Sequence, residues 1–174
     1  MNTHIKILGI ILTFLAISSI TQAQKCKYDY QKTDEFTGKN SKGVTIKINK
    51  WFYIGINKTG DTYNLEAAIL INGELNYYVE KGDSLLIKLS NGEIMTLYSM
   101  ERSAPVSQVV QGLNSASVVT RFDIRYDLSE EQLQLLSRYD VTHLRIFAGN
   151  NRYDEDIAPK TAAKIKTGAF CILQ

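Results

Sequence analysis

The chain has two cysteines, two prolines, two histidines and one tryptophan among its 174 residues. Each shortage excludes something. No apolar run reaches the roughly 20 residues that a membrane-spanning helix needs. The longest, Ile7 to Ile20, is broken by Gly9, Thr13, Ser18 and Ser19. It follows Lys6 and ends in Thr21-Gln22-Ala23, small residues at the first and third positions before a cut. A basic start, a short apolar core and a small-x-small exit predict a secretory signal peptide over residues 1–23, with Gln24 as the new N-terminus. Lipid attachment at Cys26 is disfavoured, because Gln24 and Lys25 precede it instead of small residues. The expectation is a secreted, periplasmic or cell-envelope protein that is not integral to the membrane once cleaved.

An excess of one charge is missing too. The sequence holds 20 Lys+Arg against 18 Asp+Glu, and Lys6 is the one charged side chain before Gln24. A nearly neutral exported chain has no electrostatic footprint for nucleic acid. Histidine is scarcer still. His4 leaves with the signal peptide, so His143 is the sole imidazole available to a nucleophile–His site, and no nucleophile elbow accompanies it. One His and two Cys also lack structural-zinc spacing. The oxygen-rich stretch Asn150, Asn151, Asp154, Glu155 and Asp156 lacks the EF-hand glycine and terminal glutamate, and acids before a helix already have a role at its dipole. No metal and no cofactor are expected.

What is present is alternation. Few prolines and ten tyrosines suit a sheet-rich domain. A short strand is predicted near Cys26–Asp34, then Val44, Ile46 and Ile48, then Phe52, Ile54 and Ile56, each at period two. Tyr63 to Ile71 continues the pattern. Asn72-Gly73 and Asn91-Gly92 are hairpin signals, leading into strands at Leu75–Val79 and Ile94–Tyr98, with Leu85–Leu89 between them. Glu101 to Ser117 breaks the rhythm, although Val109-Val110 suits a short edge strand. Val118 to Ala148 then reads as strand, helix, strand. Ser129 and Gln132 form a capping box, Leu128 and Leu133 a hydrophobic staple, and Glu130 and Glu131 favour the helix N-terminus. This order predicts a βαβ unit with parallel strands. An acidic turn over Asn150–Asp156 and a helix from about Ala158 to Ile172 complete the chain. The expected class is α+β: one domain over residues 24–174, a mainly antiparallel meander of hairpins, a βαβ unit and a C-terminal helix, with the helices on one face.

Three sets of residues carry candidate chemistry. If the two strands of the βαβ unit are neighbours, parity gathers Arg121, Asp123, Arg125, His143 and Arg145 on the face away from the helices. Guanidiniums there can bind a carboxylate or phosphate bidentately, or simply pair across a solvated face. Trp51 and Tyr53, with Tyr78 near them, offer an aromatic surface to a glycan or a protein partner, unless a second layer covers them. Cys26 and Cys171 are either a disulfide, favoured by an oxidising compartment, or two buried thiols. Asn57-Lys58-Thr59 matches a glycosylation sequon.

The chain loosely resembles small, uncharacterised secreted or envelope α+β proteins of bacteria. The resemblance rests on the short leader, Tyr28-Asp29-Tyr30 running to Phe36-Thr37-Gly38, Lys81-Gly82-Asp83 before a hairpin, and Tyr126-Asp127-Leu128-Ser129 leading into Gln132-Leu133. It implies compartment and single-domain build, and no activity. The functional expectation is a non-enzymatic, exported binding or interaction domain. An enzyme centred on His143 and Asp123 with flanking arginines is the alternative, and an inhibitor or structural component is a third.

Overall fold

The computed structural model describes residues 26–111 and 116–174. The signal peptide read over 1–23 lies outside the described residues. Ten strands and two helices follow in order: β1 (Tyr30–Thr33), β2 (Asn40–Lys47), β3 (Phe52–Thr59), β4 (Thr62–Asn72), β5 (Ser84–Leu89), β6 (Ile94–Tyr98), β7 (Val106–Gln111), β8 (Ala116–Leu128), α1 (Glu130–Arg138), β9 (Val141–Ala148), β10 (Asn151–Asp156) and α2 (Pro159–Leu173). The α+β class and the mainly antiparallel sheet stand as predicted.

Strands β1 to β4 form the expected meander and continue through β8 to β7, in the order β1-β2-β3-β4-β8-β7. A second sheet runs β10-β9-β5-β6, and every described pairing is antiparallel. The two sheets meet where the chain leaves β6. Ser99 bridges Tyr126, the Met100 amide donates to the Arg125 carbonyl at 2.8 Å, and the Ser103 hydroxyl donates to the Asp123 carbonyl at 2.7 Å. The sheet as a whole therefore curls, and α2 packs against β2, β3, β9 and α1 inside the curl.

Alternation decides what faces inward. Ile54, Ile56, Leu65, Ala67, Phe122 and Ile124 from the larger sheet meet Leu85, Ile87, Leu97, Leu144 and Ile146 from the smaller one in a single core. Each fully buried Leu or Ile there contributes about 1.5–3 kcal/mol. Leu133 and Leu136 of α1 and Ala162, Ile165, Ala169 and Ile172 of α2 complete it. The capping box of α1 forms as read, with Gln132 N–H donating to Ser129 Oγ at 3.1 Å and Ser129 N–H to Gln132 Oε1 at 2.9 Å. Gly168 lets α2 approach β2, since a Cβ there would lie 2.9 Å from Val44 Cγ2. Cys26 and Cys171 are joined as a disulfide, with Cα atoms 5.4 Å apart.

Three expectations need correction. The strand–helix–strand order over Val118–Ala148 is right, but β8 and β9 belong to different sheets and are not parallel neighbours. One edge of β8 is occupied by β4, and the other by residues 99–103 and β7, so no slot remains for β9. The segment Leu75–Val79 is not a hairpin arm; it keeps a single bridge from Val79 to Ser103 and carries the chain to the second sheet. The Asn72-Gly73 turn is diverted by β8: Gly73 N–H donates to the Val118 carbonyl, while Thr120 Oγ1 donates to the Gly73 carbonyl and accepts from Leu75 N–H. Finally, the acidic stretch expected to be a turn contains strand β10, paired along its length with β9.

Candidate functional site

A depression of about 460 Å³ lies on the outer face of the larger sheet. Its floor comes from two small residues, Gly55 on β3 and Ala68 on β4. Side chains around it are longer. Cross-strand pairing sets Thr45, Gly55, Glu66 and Arg125 in one row, and Lys47, Tyr53, Ala68 and Asp123 in the next. Small residues in the middle of a sheet face, with large ones around them, make a concavity on an otherwise flat surface.

Every charge on this rim has a partner. Arg121 clasps Asp123 two residues along β8, through Nε at 2.9 Å and Nη2 at 2.6 Å. Donating these hydrogen bonds to the Asp123 carboxylate raises the arginine's pKa beyond its ordinary value. Arg125 reaches Glu66 at 3.3 Å across the β4–β8 pair and Glu101 at 3.6 Å from the loop after β6. The Lys47 ammonium stands 5.5 Å from the centre of the Tyr53 ring. The two guanidiniums and this ammonium balance the carboxylates of Glu66, Glu101 and Asp123. All are at least partly solvated, so each pair is worth roughly 0.2–1 kcal/mol and fixes shape more than stability.

Beside the depression runs a polar ladder. The Tyr30 hydroxyl donates to Asn57 Oδ1 at 3.2 Å, and Asn57 Nδ2 donates to Asn64 Oδ1 at 3.1 Å. Gly43 lies under this contact, and a Cβ at that position would overlap both Asn57 and the Tyr30 ring. Asn57 is buried, so the sequon it heads is occluded in the folded chain.

His143 and Arg145, expected on the same face as Arg121 and Asp123, sit on the second sheet instead. His143 Nδ1 is 2.8 Å from Asp156 Oδ1 and Nε2 is 3.1 Å from Asp154 Oδ1, with Arg145 Nε 2.5 Å from the same Asp154 oxygen. Hydrogen bonding to Asp156, then to Asp154, holds the imidazole above its ordinary pKa. Arg145, then His143, draws the Asp154 carboxyl below the usual carboxylate range. The enzyme alternative required an Asp123–His143 contact, and both residues are committed elsewhere. Among the described residues, no group of three or more His, Cys, Asp or Glu is placed to hold a metal ion.

The three aromatics occupy three places. Tyr53 edges the depression, Trp51 lines a crevice of about 270 Å³ between the β2–β3 turn and β10, and Tyr78 stacks under Arg102 with its ring centre 3.5 Å from the guanidinium carbon. They do not form one surface. Sequence reading identified Arg121, Asp123, Arg125 and Tyr53 but not Glu66, Ala68 or Glu101, whose roles depend on which strands lie alongside. A glycine inside a strand, as at Gly55, was the available signal, since it marks a gap or a close approach. Compared with family models, curated proteins and solved structures, the chain finds no match.

Proposed function

We propose that this is an exported, non-enzymatic binding domain, and that the outer face of its larger sheet takes a neutral, hydroxyl-rich ligand of the saccharide class. The supporting observation is the depression floored by Gly55 and Ala68, whose surrounding charges already balance one another. An anionic ligand would need an uncommitted cation, and Arg121 and Arg125 both hold carboxylates. A sugar hydroxyl both donates and accepts, so it can bond a carboxylate oxygen and a guanidinium N–H that already face each other. Tyr53 supplies a ring edge or face for a pyranose. The open, shallow shape suits weak recognition of one or two units of a longer glycan.

The test is an NMR titration of the chain beginning at Gln24 with neutral hexoses and N-acetylhexosamines, using acetate and phosphate as anion controls. Amide shifts centred on Tyr53, Gly55 and Ala68 are expected with at least one neutral sugar and with neither anion. Filling the floor by Ala68→Phe should weaken binding at least about tenfold, the equivalent of about 1.4 kcal/mol. Shifts that persist undiminished in that variant, or none with any sugar, would sink the proposal.

A further inference from the structure

Strand β7 is exposed at all six positions, including Val106, Val109 and Val110. It pairs with β8 on one side and has no backbone partner on the other among the described residues. Such an edge is a template for another strand, and proteins normally blunt it with charge, proline, a bulge or a cover. The other three sheet edges are blunted. Strand β1 carries Lys32 and is flanked by Asp29 and Asp34; β10 carries Arg152, Asp154, Glu155 and Asp156. The β6 edge is capped by α1, whose Gln132 Nε2 donates to the Thr96 carbonyl at 3.3 Å. No charged residue occurs between Arg102 and Arg121, in a chain that is 22% charged as a whole.

We infer that β7 is a dimerisation edge, and that two copies of this chain pair antiparallel through it into one continuous sheet. The occupant is a second copy because β7 suits itself: two uncharged strands of Val, Ser and Gln bring no like charges together in either register. The charged β1 and β10 edges disfavour head-to-tail growth, which leaves a closed two-fold pair. This inference is independent of the saccharide site, which faces outward from the strands Phe52–Thr59, Thr62–Asn72 and Ala116–Leu128.

The ladder shows which backbone groups would make the contact. The Val118 carbonyl accepts from Gly73 N–H, whereas the Asp123 and Arg125 carbonyls accept from Ser103 and Met100 on the opposite side of β8. Even-numbered residues of β8 therefore direct their backbone groups toward β4, away from β7. Val109 lies opposite Val118, so this is a non-hydrogen-bonded pair, and the Val109 N–H and C=O point to the open edge. Alternation gives Ser107 and Gln111 the same direction. Val109→Pro removes an outward N–H while sparing the β7–β8 ladder, and proline is tolerated on an edge strand in that position.

Sedimentation velocity of the chain beginning at Gln24, which contains every described element, tests this across a wide concentration range. A mass rising to twice that of the chain is expected, with concentration dependence because edge pairing buries little area. Val109→Pro and Val109→Lys should both return the single-chain mass with unchanged circular dichroism. If the proline variant fails to fold, the lysine variant carries the comparison. A wild-type chain that stays at single mass at every concentration overturns the inference, as does a dimer that persists in either folded variant. A monomer that binds an unrelated extended peptide along β7 overturns self-pairing as well.

Discussion

Tyr126 shows how far a pattern reaches at the scale of one residue. Alternation along β8 assigns it to the inward face, and it is fully buried there. What alternation does not reveal is that its hydroxyl has no hydrogen-bond partner among the described residues. Burial, and then the Asp83 carboxylate, push its pKa above the ordinary phenol value, so the ring stays neutral. A buried hydroxyl without a partner costs about 1–3 kcal/mol of desolvation. Tyr126→Phe keeps the shape and removes that cost, so the urea midpoint should hold or rise by the equivalent of about 1 kcal/mol. A clear fall would mean that the hydroxyl has a partner after all. Gly168 is a second case. A helical glycine reads as a weakness in sequence, and only the distance to Val44 explains why a methyl group would push α2 off β2.

At the scale of the element, β10 was illegible because acidic residues dominate it. Its strand character comes from its neighbour. Asp156 and Asp154 lie opposite His143 and Arg145 on β9, and opposite charges across an antiparallel pair stabilise the ladder. That attachment depends on pH. The His143 pKa is raised in the folded chain above its ordinary 6.5, so its contribution is complete below that value and is lost as pH rises through the raised one. The Asp154 pKa is lowered, so its contribution is lost only in acid. On raising pH from 6 to 9, thermal stability should therefore fall by a few tenths to about 1 kcal/mol, and His143→Gln should flatten that fall. An equal slope in the variant would show that the imidazole does not couple β9 to β10. By contrast α1 was fully legible, because its Ser129 cap and Gln132 act within one turn of sequence.

For the whole molecule, the curl is held shut by a tie between the segment preceding β1 and the last helix, α2. Cys26 and Cys171 are 145 residues apart in sequence, and the chain-entropy model assigns closure of so long a loop about 5 kcal/mol. Replacing both cysteines by serine should lower the denaturant midpoint by a large part of that amount without changing the core. Equal midpoints for the variant and the oxidised parent would mean that the bond does not restrain the unfolded chain. Polar contacts add to the closure, with Asn49 Nδ2 donating to Glu155 Oε1 at 2.7 Å and the Tyr28 hydroxyl to the Cys171 carbonyl at 2.9 Å.

Local rules settled which residues of the alternating strands β2, β3, β4, β5, β8 and β9 face inward, where α1 begins, and that two cysteines were available to pair, because period-two alternation and capping act over a few neighbouring residues. Neighbours were settled only in three dimensions. The same Val118–Ala148 pattern serves a parallel crossover or a step between two sheets, and the outcome depends on whether an edge of β8 remains open. Strand β4 fills one edge, and residues 99–103 with β7 fill the other, so β9 joins β5 and takes His143 and Arg145 away from Arg121 and Asp123. The expected charged face was thereby divided in two, and the depression over Gly55 and Ala68 was formed from residues on β2, β3, β4 and β8 that no stretch of sequence places side by side.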